Sequence, residues 1–358
     1  MSFTPKKHYP HLDILKGFAI ICVIMGHVIL RDIYDGLGLD YHENHTLRLI
    51  SSFHMPLFVL VSGFLSQRLS FSSWDDVLKY LQTKASQLLL PLLCLPVLYA
   101  IIFSVNPWTM LFGLYHGGFW FTWSLFLLFV LFSLGIYIDS LVTPQKHQWQ
   151  KVLWILAPFI LLKALNMPLR NFSGELYSAI GWELLTWLYP YLVTGYLLGH
   201  YNLLTKKYIP RPTTAVLFCA IFYIFYMFSD LIPMAHRYNM DAYSLLTYYP
   251  AVMSILCALW YGAIKLNDIA PKIGSWLAEL GKISLPVYFL HYFFLTNHYL
   301  TIPDWVRDYR LPSEIYSLIA IPITAVVLGI SLLVIRLIKR FPIAYKLCFG
   351  RLPASKNK

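Results

Sequence analysis

Long apolar runs, separated by short polar stretches, make up almost the whole chain. A helix crosses the hydrocarbon core of a bilayer with about 20 apolar residues. Runs of that order predict ten spans, approximately Leu12–Leu30, Leu47–Leu65, Ser86–Phe103, Gly118–Ile138, Val152–Leu165, Trp182–Leu198, Thr213–Phe228, Leu245–Ile264, Ile283–Leu300 and Ile315–Ile338. Pro91, Pro96, Pro190, Pro250 and Pro286 fall within or beside them, and neighbouring helices can satisfy the backbone groups that a proline frees. The fifth run is the least regular, with Pro158 inside it and Lys163 near its end. The first follows Lys6 and Lys7 as a signal peptide would. It lacks a small-residue cleavage site and contains Asp13, Lys16 and His27, so it reads as a permanent span. Every loop is short, and no internal repeat or low-complexity tract is visible. The pattern predicts an all-α fold, a polytopic membrane helix bundle with about ten transmembrane helices. Residues 1–358 then form a single domain whose site is built from helices and short loops.

Composition agrees: 58% of residues are hydrophobic and 13% charged, against about 25% charged in a soluble domain. The net charge of +11 would suit nucleic acid, but its distribution points elsewhere. With the N-terminus in the cytoplasm, 21 of the 28 Lys and Arg fall on the inner side together with the C-terminal tail. The outer seven are Arg31, Arg48, Lys163, Arg170, Arg237, Arg307 and Arg310. That bias follows the positive-inside rule and places a basic rim against anionic lipid head groups, so no nucleic-acid partner is needed. Asp32, Asp35, Asp40 and Glu43 cluster outside, which suits a polar, non-anionic outer ligand. Cys22, Cys94, Cys219, Cys257 and Cys348 show no metal-ligand spacing and read as packing residues.

Ionisable groups within a membrane are costly, and their default reading is functional. The first span holds His11, Asp13, Lys16 and His27. Lys16 and His27 stand eleven residues apart, which leaves them roughly 20° apart around the axis and about 16 Å apart along it. Asp13 precedes Lys16 by three residues and can pair with it. Two readings stay open: a snorkelling lysine neutralising Asp13 beside a packing histidine, or a charged inner end leading to a deep imidazole. In the second span, His54 lies near the outer end and Ser62-Gly63 near the inner end, where glycine permits close approach of a helix or ligand. Lys84 opens the third span before Gln87 and Pro91. His116-Gly117-Gly118-Phe119-Trp120-Phe121-Thr122-Trp123 would sit at the outer interface, where tryptophans form aromatic belts. Glu183 opens the sixth span and His291 stands in the middle of the ninth.

These residues resemble the membrane acyltransferase-3 family, which includes O-antigen acetylases and fucose 4-O-acetylase-like proteins. Lys16 and His27 match its basic residue and histidine separated by ten positions in the first helix. Ser62-Gly63-Phe64 matches its Ser-Gly-aromatic motif, and Phe53-His54-Met55-Pro56 is similar to the fucose-acetylase branch. Trp120-Phe121 resembles its element before the fourth helix, and Gly281, Ser284, Tyr288 and His291 resemble its ninth-helix signature. The family's pair of arginines opening the third helix is represented by Lys84, with Gln87 at the second position.

The resemblance implies a multi-pass enzyme of the bacterial inner membrane. It would move an acyl group, usually acetyl, from cytoplasmic acyl-CoA to a hydroxyl of a cell-surface or lipid-linked carbohydrate. His27, with Asp13, His54 and His291, would form the catalytic set. His27 would be general base or would carry the acyl group, while His54 or His291 would orient the acceptor or stabilise the oxyanion. Lys16 would hold phosphates of the donor, joined by Lys84, with Ser62, Gly63 and Trp120 along the donor passage. Acetyl-CoA or another short acyl-CoA is the expected donor, with membrane lipid around the protein and no metal required. A homo-oligomer is compatible with the sequence. A secondary transporter or flippase for a sugar or glycan lipid is the main alternative, because intramembrane ionisables also serve proton coupling. Such proteins tend to carry inverted repeats, and none is visible here. A non-enzymatic partner in polysaccharide assembly is a further reading.

Overall fold

The computed structural model describes residues 8–40, 44–142, 148–203, 212–227, 242–296 and 311–352. These fold as helices throughout: α1 (Pro10–His27), α2 (His45–Leu65), α3 (Trp74–Ile102), α4 (Pro107–Phe112), α5 (Trp120–Val142), α6 (Gln148–Phe172), α7 (Gly174–Ile180) and α8 (Trp182–His200). Then come α9 (Pro212–Met227), α10 (Ala242–Leu246), α11 (Tyr248–Ile269), α12 (Pro271–Lys282), α13 (Ser284–Leu290), α14 (Ser313–Ile338) and α15 (Pro342–Phe349). A π-helical stretch, Val28–Asp35, continues α1, and a 3₁₀ turn, His291–Phe294, follows α13.

Local chemistry sets the boundaries. Pro10, Pro107, Pro271 and Pro342 open their helices at a position where the missing N–H costs nothing. Ser73 caps α3 by accepting from the Asp76 amide at 3.3 Å, and Asn106 and Ser173 cap α4 and α7. Gly181, at φ +72°, ends α7 and turns the chain directly into α8. Because of the Ser73 cap, α3 begins well before the apolar run, and Lys84 stands inside the helix rather than at its opening.

Among the described residues, seven helices are long and apolar enough to cross a membrane: Pro10–Asp35, His45–Leu65, Trp74–Ile102, Trp120–Val142, Gln150–Phe172, Ser244–Ile269 and Ser313–Ile338. The chain is therefore a multi-pass membrane protein, while the expected number of ten is not reproduced. The irregular fifth run is among the seven. The expected span at Thr213–Phe228 is a shorter apolar helix, and its last residue lies outside the described residues. The expected span at Trp182–Leu198 is a helix, α8, that carries Glu183 and His200 at its ends. The ninth is broken. Ile283 leaves helical geometry just before α13, and Pro286 falls in the first turn of that helix, where its missing N–H costs no helix bond; α13 lasts seven residues before the 3₁₀ turn. Asn297 to Leu300 of that expected span, and Glu43, Arg237, Arg307 and Arg310, lie outside the described residues.

The chain divides into two units. The first comprises residues up to Phe58, Lys206–Asp230 and Thr247–Gly329. In it α1 packs most closely on α12. A Cβ on Gly17 would run into the Leu277 carbonyl, and one on Gly281 into the Asp13 carbonyl. Phe18 stacks on Phe53 with ring centroids 6.2 Å apart. The second unit comprises Val59–Thr205, Leu231–Leu246 and Ile330–Lys358. There α3, α5, α6 and α8 pack side by side. Gly63 meets the Leu192 carbonyl and Gly195 meets the Leu60 carbonyl, a reciprocal backbone contact between the end of α2 and α8. Lipid is as apolar as leucine, so close backbone approach of this kind is what holds membrane helices together. Ile101, Phe172, Ile321 and Leu333 remain exposed, as a lipid-facing surface requires.

Candidate active site

His27 is the last α-helical residue of α1, where the ladder changes to π-helix. Such a change is rare and concentrates at functional sites. Gly26, beside it, has only the side chains of Leu47 and Ile50 near its missing Cβ, at 3.6 and 3.7 Å. The 3₁₀ turn after α13 delivers two consecutive side chains to the imidazole. His291 Nε2 lies 3.0 Å from His27 Nδ1, and the Tyr292 hydroxyl lies 2.8 Å from His27 Nε2. A 3₁₀ turn sets neighbouring residues about 120° apart, so adjacent side chains reach the two nitrogens of one ring.

The proton positions follow from the one group that can only accept. His291 Nδ1 is 3.3 Å from the Val287 carbonyl and therefore donates to it. His291 Nε2 is then an acceptor, His27 Nδ1 donates to it, and His27 Nε2 accepts from the Tyr292 hydroxyl. The result is a directed chain, Tyr292 to His27 to His291 to backbone, with a lone pair on His27 Nε2. His291 is fully buried and Tyr292 nearly so, while His27 is half-buried and keeps an approach. His54 and Arg31 are near enough for their charges to act on His27. His54 is itself held through Nδ1 by the Ile50 carbonyl at 2.6 Å.

The opposite end of α1 carries a charged cluster. Lys16 Nζ bonds Asp13 Oδ1 at 2.7 Å, and His8 Nε2 bonds Asp13 Oδ2 at 2.9 Å. Asp13 is buried and acts electrostatically on Lys282, whose main partner is Glu279 at 2.6 Å. That hydrogen bond holds the Lys282 ammonium pKa above its ordinary value. Asp13 is thus brought to Lys16 and not to His27, from which fourteen residues of helix, about 21 Å, separate it.

Sequence reasoning placed His27 and His291 in one set, and they meet. It missed Tyr292, although the aromatic beside His291 was in plain view, because no pattern says which neighbour of a histidine turns inward. Lys282 was visible only as part of a motif. The remaining expected residues belong to the second unit. Gly63 serves the contact with α8, and the Ser62 carbonyl accepts from the Ser66 hydroxyl at 2.9 Å. Lys84 Nζ sits 4.0 Å from the centre of the Phe129 ring and 5.4 Å from that of Tyr80. Trp120 lines a cavity of about 60 Å³ with His116, Trp123 and Trp182.

Comparison with known proteins gives the family of the chain. The sequence pattern of the acyltransferase-3 family, described as an acyltransferase domain, matches residues 9–336. The chain is 35% identical over 132 residues to nodulation protein NolL of Mesorhizobium japonicum, covering 33% of this chain and 34% of that protein. It thus matches about a third of that relative's length. No solved structure matches it.

Proposed function

The chain belongs to the acyltransferase-3 family and is a membrane acyltransferase; from that premise we propose that it moves a short acyl group, acetyl first, from acyl-CoA to a hydroxyl of a carbohydrate. The single observation that carries the reading is the Tyr292–His27–His291 chain. His27 Nε2 takes the proton from the acceptor hydroxyl as that oxygen attacks the thioester carbonyl. The new C–O bond forms, the C–S bond breaks, and the imidazolium returns its proton to the departing thiolate. His291 accepts from Nδ1 throughout, which fixes the tautomer and stabilises the charge, the part an orienting group plays behind any catalytic imidazole. Tyr292 occupies Nε2 until the acceptor hydroxyl replaces it or passes its proton through the phenol. Arg31, paired with Asp35 at 3.2 Å, acts electrostatically on His27 and adds positive character beside it.

At the other end of α1, Lys16 and Lys282 bind the donor phosphates as point charges, with Asp13 holding Lys16 in place. The pantetheine arm is long enough to run from there along α1 to His27. The expected orientation sets the basic end in the cytoplasm, where acyl-CoA is made. The test uses the full-length protein in nanodiscs, labelled acetyl-CoA and a panel of methyl glycosides. Label should pass to a glycoside with the wild type and fall about 100-fold or more with His27→Ala. Wild-type turnover in folded His27→Ala would remove His27 from the chemistry. Mass analysis of surface glycans after deletion and restoration of the chain would name acyl group and acceptor together.

A further inference from the structure

The second unit contains a cavity that the acyl-transfer chemistry does not use. It lies where α5 and α8 both begin, closed on one side by α7 and by the loop before α5. Since α5 is long enough to span the membrane, its first turn stands at a membrane face, within reach of water.

The walls are aromatic and held rigidly. Trp123 Nε1 donates to the Ile180 carbonyl at 3.2 Å, and Trp182 Nε1 donates to the Leu162 carbonyl at 3.0 Å. The two indole N–H groups are therefore occupied, and His116 stands beside the Trp123 ring with centroids 5.7 Å apart. Both indole rings, like Trp120, are only half-buried. The Tyr177 hydroxyl donates to Asn166 Oδ1 at 2.7 Å and lies beside the Glu183 carboxylate. Burial, and after it Glu183, push the Tyr177 phenol up to about 12, so it stays a proton donor.

Two features indicate a ligand rather than a packing defect. Ser124 lines the cavity, is fully buried, and its hydroxyl has no hydrogen-bond partner among the described residues. A buried hydroxyl left unpaired is costly, and a ligand that pairs with it is favoured. One residue of the segment before α5 is also strained: His116, which is not glycine, has φ +47°, and Gly117 and Gly118 follow it at +58° and +103°. A non-glycine residue held left-handed at a cavity wall marks a site where local strain is tolerated for position. Its ring is fixed by the Leu111 carbonyl at 2.6 Å.

We propose that this cavity binds a sugar ring of the carbohydrate acceptor, with the indole faces against its C–H face and Ser124 and Glu183 receiving its hydroxyls. Flat aromatic walls beside a carboxylate and a hydroxyl match the alternation of C–H and O–H groups on a pyranose. A quaternary ammonium would use the rings but leave Ser124 unpaired. The cavity is too small for a whole sugar ring, so it takes one edge of it, with the rest of the glycan outside. The ligand's role as acceptor rests on the acyl-transfer reading; its binding does not.

The experiment measures methyl glycoside binding by saturation-transfer NMR and tryptophan fluorescence, on the full-length protein in nanodiscs free of glycoside detergent. Glu183→Gln is expected to weaken binding about tenfold, and Ser124→Ala about fivefold, because each removes one hydrogen bond to the ligand. A merely structural Ser124 would show no loss, since alanine removes an unpaired group. Acetyl-CoA binding, measured alongside, should stay at the wild-type level in both variants. Unchanged glycoside affinity in both variants, absence of glycoside binding to the wild type, or displacement by choline would each overturn the proposal. Failure of acetyl transfer with glycoside binding intact would sink the acyl-transfer reading and leave this site standing.

Discussion

At the scale of residues, the proposed chemistry turns on a histidine whose two nitrogens have different partners. Tyr292→Phe removes the hydroxyl from Nε2 and keeps the ring. If the phenol passes the proton, kcat falls by about 10- to 100-fold with KM for acyl-CoA unchanged. His291→Gln keeps an acceptor for His27 Nδ1 but loses the imidazole's polarisability. It should lower kcat and move the acid limb of the pH–rate profile, which a packing role alone would leave in place. Lys16→Ala is expected to raise KM for acetyl-CoA by about tenfold, as loss of a charge-assisted phosphate contact does, with kcat little altered. The lysine and both histidines were legible because polar groups within apolar runs stand out. Tyr292 was not, since aromatic residues are abundant here, at 17% of the chain.

At the scale of elements, α1 is held by backbone contacts that tolerate no side chain. Gly17→Ala and Gly281→Ala each force α1 and α12 apart, because the obstructing atoms are carbonyls of Leu277 and Asp13. Each should destabilise the protein by about 1–3 kcal/mol or more, read as a lower Tm in nanodiscs. Gly262, in α11, has nothing near its missing Cβ. There Gly262→Ala should raise stability by about 0.5–1 kcal/mol through helix propensity alone. Sequence spacing marked Gly63 as a notch, and the structure adds Gly195 as its counterpart on α8. The break at Pro286 was foreseen only as a proline beside a span. Its consequence, a short helix and a 3₁₀ turn presenting His291 and Tyr292 together, depended on what α1 offered opposite.

At the scale of the whole molecule, charge distribution carries the expectation about sidedness. With 21 of 28 basic residues assigned to one face, a C-terminal tag should be cleaved by protease in inverted membrane vesicles and protected in intact spheroplasts. Acetyl-CoA supplied to the outside of inverted vesicles should be consumed, whereas sealed right-side-out vesicles should leave it untouched. The opposite pattern would place the donor cluster around Lys16 on the wrong side and break the proposed path along α1.

Hydrophobic length and the rarity of charge in lipid are properties of local sequence. They alone determined that the chain is helical and spans a membrane repeatedly, and they singled out Lys16, His27 and His291 as candidates. Which helices close on one another, which nitrogen of His27 holds the lone pair, and the grouping of Ser124 with Tyr177 and Glu183 were decided only by tertiary structure. The reason is physical: with lipid no worse a neighbour than leucine, helix pairing rests on a few close backbone approaches and hydrogen bonds. Those are relations between distant segments, and no periodicity along the chain encodes them.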